Sequence, residues 1–501
     1  MRSLAASTAD DVFVQDLGSH QAQHEAMQHN PHPGDDAERH CPFSAHPPSA
    51  ITANPTATWP PGPPSGLTGW GLLRQMERDL LGTLAAWQRL YGDIFHVRTW
   101  PEHQIMVLDP ALARELLASR HEELIRWEHG LKVLSQLHGS SVLISEGQAW
   151  RAKRQALLPA FAPKAVQAGL PDLVATAEAA LKSWPAQSED WPMEEALTTL
   201  TMDIIMRQVF SLPMGRHEQQ ARHSLRTLSQ AADREFYHPL RWPDYMPWKR
   251  SKRQAKAWLH GFIDHQVQTR LGQEGGPEDL LGRLLGLHRE QPQVWSLQAV
   301  RDECMTAFLA GHETVASTLT WWAWCMAAHP EAQEAAAQEV LDSLQHSPPM
   351  AQGLGQLRQL GLGLQETMRL YPAAPVLISR RNTRPLKLGS WHFPARTMFM
   401  VPLGLIQRDA RWFAEPEAFR PQRFEEAVER GSHMPFGTGP RVCLGQHLAS
   451  TEMSVIAAML LQRFRLLPLP GARPPRPLLH ITLRPATALH LRLEPRQPKS
   501  C

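Results

Sequence analysis

Beyond Leu67, apolar residues recur every three or four positions over long stretches, the period of helices packed on one face. The run GLLRQMERDLLGTLAAWQRLYGD predicts one amphipathic helix ending at Gly92. IFHVRTW and HQIMVLD read as two short strands, and PALARELLAS as a helix opened by Pro110. Residues 122–145 have no clean period and read as a loop with a short helix. Residues 165–290 read as helices joined by a Pro/Trp-rich loop, HPLRWPDYMPWKRSKR. Val300 to Ala328 is apolar on most faces, which predicts a long buried helix stopped by His329-Pro330. PLKLGSWHFPARTMFMVPL and LLHITLRPATALHLRLEP read as short strands. QHLASTEMSVIAAMLLQRF, after Gly445, reads as a helix. The expected fold is mostly α with a small β region, one large domain over residues 59–496.

The ends follow another pattern. Residues 1–58 hold few large apolar side chains and are expected to be a disordered extension; residues 497–501 read as a free tail. His20, His24, His29, His32, His40 and His46 fall in the extension. A metal-binding tail, an unstructured segment and a start assigned too early, with Met27 as the true one, are the three readings. Trp59-Pro60-Pro61-Gly62-Pro63-Pro64 is a stiff entry to the folded part.

Net charge is +2, from 51 basic and 49 acidic residues, which lacks the basic excess of a nucleic-acid binder. Five cysteines, none in a CxxC pair, form neither a disulfide framework nor a zinc or iron–sulfur pattern, and they suit a reducing compartment. No apolar run is long enough for a signal peptide or a spanning helix. The expected location is the cytoplasm, with at most peripheral membrane contact. Seventeen tryptophans against four tyrosines suggest only core and pocket filling.

Chemistry concentrates in Met434–Ala449, MPFGTGPRVCLGQHLA. Gly437, Gly439, Pro440 and Gly445 predict a tight turn around Cys443. Backbone N–H groups, the start of the following helix and the charge of Arg441 all favour a thiolate there. A lone cysteine is more often a small buried apolar residue; the surrounding pattern argues otherwise. Phe436-x-x-Gly439-x-Arg441-x-Cys443-x-Gly445 resembles the cysteine-ligand loop of the haem-thiolate monooxygenases, the cytochromes P-450. The resemblance implies haem b with Cys443 as its iron ligand and Phe436 packed beside it, within the cytochrome P-450 fold.

Three further motifs extend the resemblance. Trp150 and Arg154, four apart, share a helix face. Alone they describe a surface helix with a half-buried tryptophan; in the family such a pair supplies donors to a haem propionate. Glycine, an acid and an alcohol are costly in the middle of an apolar helix, yet Ala310-Gly311-His312-Glu313-Thr314 places them there. A plain reading is a kink with Thr314 bonded back to the carbonyl four residues earlier. AGHET is similar to the family's oxygen-activating segment. There Gly311 lets the helix open over the iron, and Glu313 with Thr314 holds the water that supplies protons. Glu366 and Arg369, three apart, usually signify a surface ion pair. The resemblance instead implies a buried network of Glu366, Arg369 and Arg423 that steadies the cysteine loop. One departure is noted: the position where many relatives carry a propionate-binding arginine aligns with Leu377, while Arg380 and Arg381 lie out of register.

The resemblance implies a monooxygenase that inserts one oxygen atom of O₂ into a C–H bond of an apolar substrate. The haem domain uses up the chain, so electrons are expected from a separate donor, a ferredoxin with its reductase. Arg151, Lys153 and Arg441 are the expected docking face. AGHETVAS, FPARTM with QRDARWF, and HITLRP are similar to soluble bacterial enzymes that hydroxylate carotenoid rings. A fatty-acid or terpenoid hydroxylase is the alternative, and a haem-based gas sensor the reading from another class. Trp127, Phe210, Phe236 and Leu377 are the expected apolar pocket. Phe236, Tyr237 and Tyr245 flank or lie in the loop where relatives place a mobile lid, and its aromatic content suits an apolar substrate or a membrane surface; an ordinary helix connection remains open.

Overall fold

The computed structural model describes residues 59–496 except 238–241, 274 and 346. The expectations for 1–58 and 497–501 therefore lie outside the described residues. The described residues form one compact unit.

It is mostly helical, with small sheets. Its axis is a 32-residue helix, Leu297–Ala328, capped by the Ser296 side chain, which accepts from the Ala299 N–H. Most of this helix is buried, and it packs chiefly on Met193–Phe210. Pro163–Lys182, Pro330–Leu344, Arg358–Leu370 and Gln446–Arg463 surround its C-terminal half in one apolar core. Glu218–Tyr237, Arg250–Leu271 and Leu280–Glu290 surround its N-terminal half in a second. Trp321 shows how the aromatic content is used: fully buried, it stacks on Tyr371 at 4.0 Å and donates Nε1–H to the Leu483 carbonyl at 2.9 Å.

The third core backs a five-stranded sheet. Ile94–Thr99 and Glu102–Val107 form an antiparallel hairpin; Glu102–Val107 pairs in parallel with Met398–Met400, which continues antiparallel to Arg380–Asn382 and then to Leu124–Arg126. Arg126 and Arg380 stand directly opposite each other in the last pair.

Two local expectations are corrected. The first helix is two, Trp70–Arg78 and Leu80–Tyr91. Asp79 breaks it by leaving helical geometry and accepting the Gly82 N–H at 3.0 Å, an N-cap that overrides the apolar period. Residues 122–145 are more ordered than expected, with the strand Leu124–Arg126 and the helix Glu128–His138. Among the described residues, no helix is long and apolar enough to cross a membrane.

Candidate active site

Cys443 stands between a glycine-rich turn and the helix Gln446–Arg463. Gly437 and Gly439 both hold φ near +75°, which favours glycine. At Gly439 a Cβ would lie 2.4 Å from the Leu117 carbonyl oxygen, so only glycine lets the turn approach that segment. The Cys443 N–H donates to the Phe436 carbonyl at 3.0 Å, closing the loop, and Phe436 packs against the first core.

The Cys443 side chain is exposed, yet burial is the largest influence on its thiol and pushes its pKa up. Both hold if the sulfur faces a void inside the protein. The Gly445 backbone and the Arg154 charge act in the opposite direction, toward the thiolate. Cys304 and Cys325, by contrast, are sealed in the core, where burial pushes their thiols far up.

Beside the cysteine loop is an unusual concentration of cations. Arg154 Nη2 donates to the Val442 carbonyl at 2.9 Å. Arg441 lies 3.8 Å over the Trp150 ring and donates to Glu146 at 2.7 Å and to the Ser145 carbonyl at 3.0 Å. Arg126 donates to the other Glu146 oxygen at 2.6 Å and to the Leu143 and Ser145 carbonyls. Arg380 is held against the Ile378 carbonyl. Burial lowers all four guanidinium pKa values, Arg441 to about 9 and Arg380 to about 10, and Arg441 feels repulsion from the other three. Glu146 is the carboxylate that offsets Arg126, Arg380 and Arg441, while the Cys443 sulfur offsets Arg154. Like charges directly across a strand pair are destabilising, and buried cations need anionic partners. Four arginines with one glutamate therefore form a site for a ligand carrying more than one negative charge. Haem, with two propionates and an iron that accepts a thiolate, fits this donor set.

The arginine expectation is thus corrected. Leu377 lies beside Gly437, with its Cδ2 3.8 Å from where a Gly437 Cβ would stand. Arg380, set aside by register, is the residue that joins the cluster; a short strand carries its side chain there. Arg126 was missed altogether, because a three-residue strand leaves no periodic signal. Cross-strand pairing was the one signal that would have found both.

Ala307, Ala310, Gly311 and Thr314 share one side of the long helix at spacings of three and four. Ala310 is exposed although its neighbour Leu309 is buried. Thr314 Oγ1 donates to the Ala310 carbonyl at 2.8 Å. The helix does not open at Gly311; it runs unbroken from 297 to 328. A Cβ there would lie 2.6 Å from Ile205 Cδ1, so Gly311 instead permits close packing against Met193–Phe210. Nor does Glu313 meet Thr314: its Oε1 accepts from Thr482 Oγ1 at 3.0 Å and pairs with Arg484 Nη2 at 3.1 Å.

Glu366, Arg369 and Arg423 form a closed network. Arg369 is bidentate on Glu366 at 2.7 and 2.9 Å, and Arg423 Nε donates to Glu366 Oε1 at 2.9 Å. Gln407, missed in the sequence, connects this helix to the cysteine loop. Its Nε2 donates to the Met368 and Arg369 carbonyls at 2.9 and 3.1 Å, and its Oε1 accepts the Met434 N–H at 3.0 Å.

The expected pocket and docking face are only partly assembled. Phe210 is fully buried in the second core. Trp127 and Phe236 meet over Gly130, whose Cβ would lie 3.1 and 3.3 Å from their rings. Tyr237 is half-buried and Tyr245 is exposed, as are Trp242 and Trp248. Lys153 is not a surface cation: it forms a buried pair with Glu303 at 2.9 Å. Arg441 is committed to Glu146, so Arg151, paired with Glu122, is the exposed member of the three. A cavity of about 1250 Å³ between Pro163–Lys182, Met193–Phe210 and Leu280–Glu290 holds Arg270, already bidentate on Asp279, and reaches Ala307 and Leu448.

Comparison with known proteins follows the same lines. The sequence profile of the family described as Cytochrome P450 matches residues 60–492. Cyclooctat-9-en-7-ol 5-monooxygenase of Streptomyces melanosporofaciens is 29% identical over 445 residues, 85% of this chain and 93% of its own length. Cytochrome P450 734A6 of Oryza sativa subsp. japonica is 30% identical over 415 residues, 75% of each chain. Secologanin synthase 1 of Catharanthus roseus is 30% identical over 391 residues, 72% of this chain and 74% of its own.

Proposed function

The chain belongs to the cytochrome P450 family, and from that premise we propose that Cys443 ligates its haem and that its substrate is an apolar isoprenoid. The protein is a cytochrome P450 monooxygenase; its family binds haem b through a cysteine thiolate and takes electrons from a separate partner. The observation that carries the site assignment is the group of Arg126, Arg154, Arg380 and Arg441 beside an exposed cysteine. Arg126, Arg154, Arg380 and Arg441 would hold the propionates, and Trp150 would pack at that edge. Bound there, haem supplies oxygen activation, which a thiolate ligand promotes by donating electron density.

The chain's own residues have separable duties. The Gly445 N–H and Arg154 favour the Cys443 thiolate, in opposition to burial, which is the larger influence and pushes the thiol pKa up. The network of Glu366, Arg369 and Arg423, with Gln407 as its link, holds the cysteine loop at a fixed distance from the helix Arg358–Leu370. Thr314 places a hydroxyl on the helix face it shares with Ala310, and Glu313, one residue earlier, is the proton source.

For the substrate, a terpenoid has the better support. Two of the relatives are named for a cyclooctatenol and for secologanin. The carotenoid ring, expected from sequence likeness, is itself isoprenoid and stays as a narrower arm of the test. We take the electron donor to be a ferredoxin with its reductase. Exposed Trp242, Tyr245 and Trp248 suit transient contact with a lipid interface, where an apolar substrate collects.

The test is an optical titration of the holoprotein with a cyclic diterpene alcohol, a β-ring carotenoid and a long-chain fatty acid. Water displacement from the iron by the diterpene is the expected result; a response to the fatty acid alone would overturn the substrate class. Cys443→Ser is expected to remove the thiolate-type band of the reduced, carbon monoxide-treated protein. A band that survived this substitution would overturn the ligand assignment.

A further inference from the structure

One hairpin meets three carboxylates from three helices. His480 and Thr482 lie in the turn between the paired strands Pro477–Leu479 and Leu483–Pro485, and Arg484 lies in the second strand. His480 Nδ1 pairs with Asp233 Oδ2 at 3.0 Å, on Glu218–Tyr237. Thr482 Oγ1 donates to Glu313 Oε1 at 3.0 Å, on the long helix. Arg484 Nη2 pairs with the same Glu313 oxygen at 3.1 Å, and its Nη1 lies 3.7 Å from Glu194 Oε1, at the start of Met193–Phe210. Arg484 Nε also donates to Thr482 Oγ1 at 3.3 Å, so the two residues support each other.

The backbone fixes this arrangement. The Leu483 carbonyl accepts both Ser317 Oγ–H at 2.6 Å and Trp321 Nε1–H at 2.9 Å. Ser317 lies one helical turn beyond Glu313, so the long helix itself grips the strand between the two residues that reach back to its acid. The Leu483 N–H donates to the Ala373 carbonyl at 3.0 Å on the other side.

Resting on the monooxygenase reading, we propose that Thr482 and Arg484 are positioning residues for Glu313. They fix its carboxylate in one orientation. Each proton that leaves Glu313 toward the reacting oxygen is replaced by one from water, and no electrons move in this step. An unheld glutamate has three freely rotating bonds. A held one meets its acceptor in one geometry, and a positioned acid of this kind contributes about 10²- to 10⁴-fold to rate. The charged and titratable groups around Glu313 are Arg484, with Glu194 behind it, and the imidazoles of His138, His312 and His480. His138 and His312 are buried, and burial disfavours their charged forms. Arg484 is thus the fixed cation that opposes the acid.

The experiment uses the holoprotein with its electron donor, and compares dioxygen-driven with hydrogen peroxide-driven turnover, in which the oxidant brings its own protons. Arg484→Gln is expected to lower dioxygen-driven kcat by about tenfold or more and to raise the solvent isotope effect. It should leave peroxide-driven turnover within about twofold. Arg484→Lys, which keeps the charge, should recover most of the loss, and Thr482→Val should give the same signature at smaller amplitude. Equal loss of both turnovers, or an unmoved isotope effect, would overturn the positioning role. Wild-type protein inactive with both oxidants would remove the premise instead, and the proposal with it.

Discussion

Arg126 and Arg380 face each other across one strand pair, an arrangement that costs folding free energy. Proteins tend to break local rules of this sort at functional sites. The breach gives a prediction with two opposite signs. Arg380→Leu should raise the melting temperature of the apoprotein, by removing one of four crowded buried cations. The same substitution should lower haem affinity by about tenfold or more, since a hydrogen bond to a charged group contributes about 1.5–3 kcal/mol. Calorimetry of the apoprotein and the rate of haem transfer to a scavenger protein check both arms. At this scale the sequence was readable where a motif carried the residue. Cys443, Trp150, Arg154 and Glu366 are all found where the motifs put them. Arg126 and Arg380 were not readable, because their significance comes from register between strands 254 positions apart, which no local period encodes.

Between elements, the clearest energetic commitment is the join of the long helix to the loop before Gly147–Phe161. Asp302 accepts the Ser140 N–H at 2.8 Å, and Glu303 accepts the Val142 N–H at 2.9 and 3.0 Å as well as Lys153 Nζ at 2.9 Å. Burial raises the Glu303 pKa, while Lys153 pulls it down. Lys153→Met leaves a buried carboxylate without its cation, so it should cost about 3–5 kcal/mol. Lys153→Met/Glu303→Gln should restore most of that in a denaturant melt. The ferredoxin-supported rate, measured well below the melting temperature, should be unchanged, since Lys153 is only 11% exposed and does not face a docking partner. Long helices were legible because burial on most faces leaves an apolar run with few alternatives. The break at Asp79 was not, because a single cap outweighs a continuous period.

Across the whole molecule, three imidazoles set the acid limit. Burial lowers His96, His138 and His433 from an ordinary 6.5 to about 4 in each case. The unfolded chain therefore takes up these protons first as pH falls, and folding stability drops between about pH 6.5 and 4. His480 runs the other way: Asp233 raises its pKa, so its contribution is complete below the ordinary value and is lost as pH rises through the raised one. A melting series from pH 7 to 4 should steepen as the protons of His96, His138 and His433, and those of His103, His260 and His312, whose pKa values burial also lowers, are taken up on unfolding, and His138→Gln should reduce that slope. A flat series over that range would contradict the burial of these rings. The overall architecture, helices around one axis with a small sheet at one side, was legible because the apolar pattern is long and continuous.

Gln407 has a consequence for the order in which the chain assembles. Its side chain joins the carbonyls of Met368 and Arg369 to the amide of Met434, and its own carbonyl accepts from Arg369 Nη1 at 2.8 Å. These contacts close two successive loops, 38 and 27 residues long, and the entropy of each closure must be met before the contact repays it. The turn around Cys443 therefore gains its anchor only after the Arg358–Leu370 helix and the 403–407 turn have docked. During synthesis the chain presents its reactive sulfur late, on a finished scaffold, and the thiol spends the early, open stages of folding without the geometry that makes it a ligand.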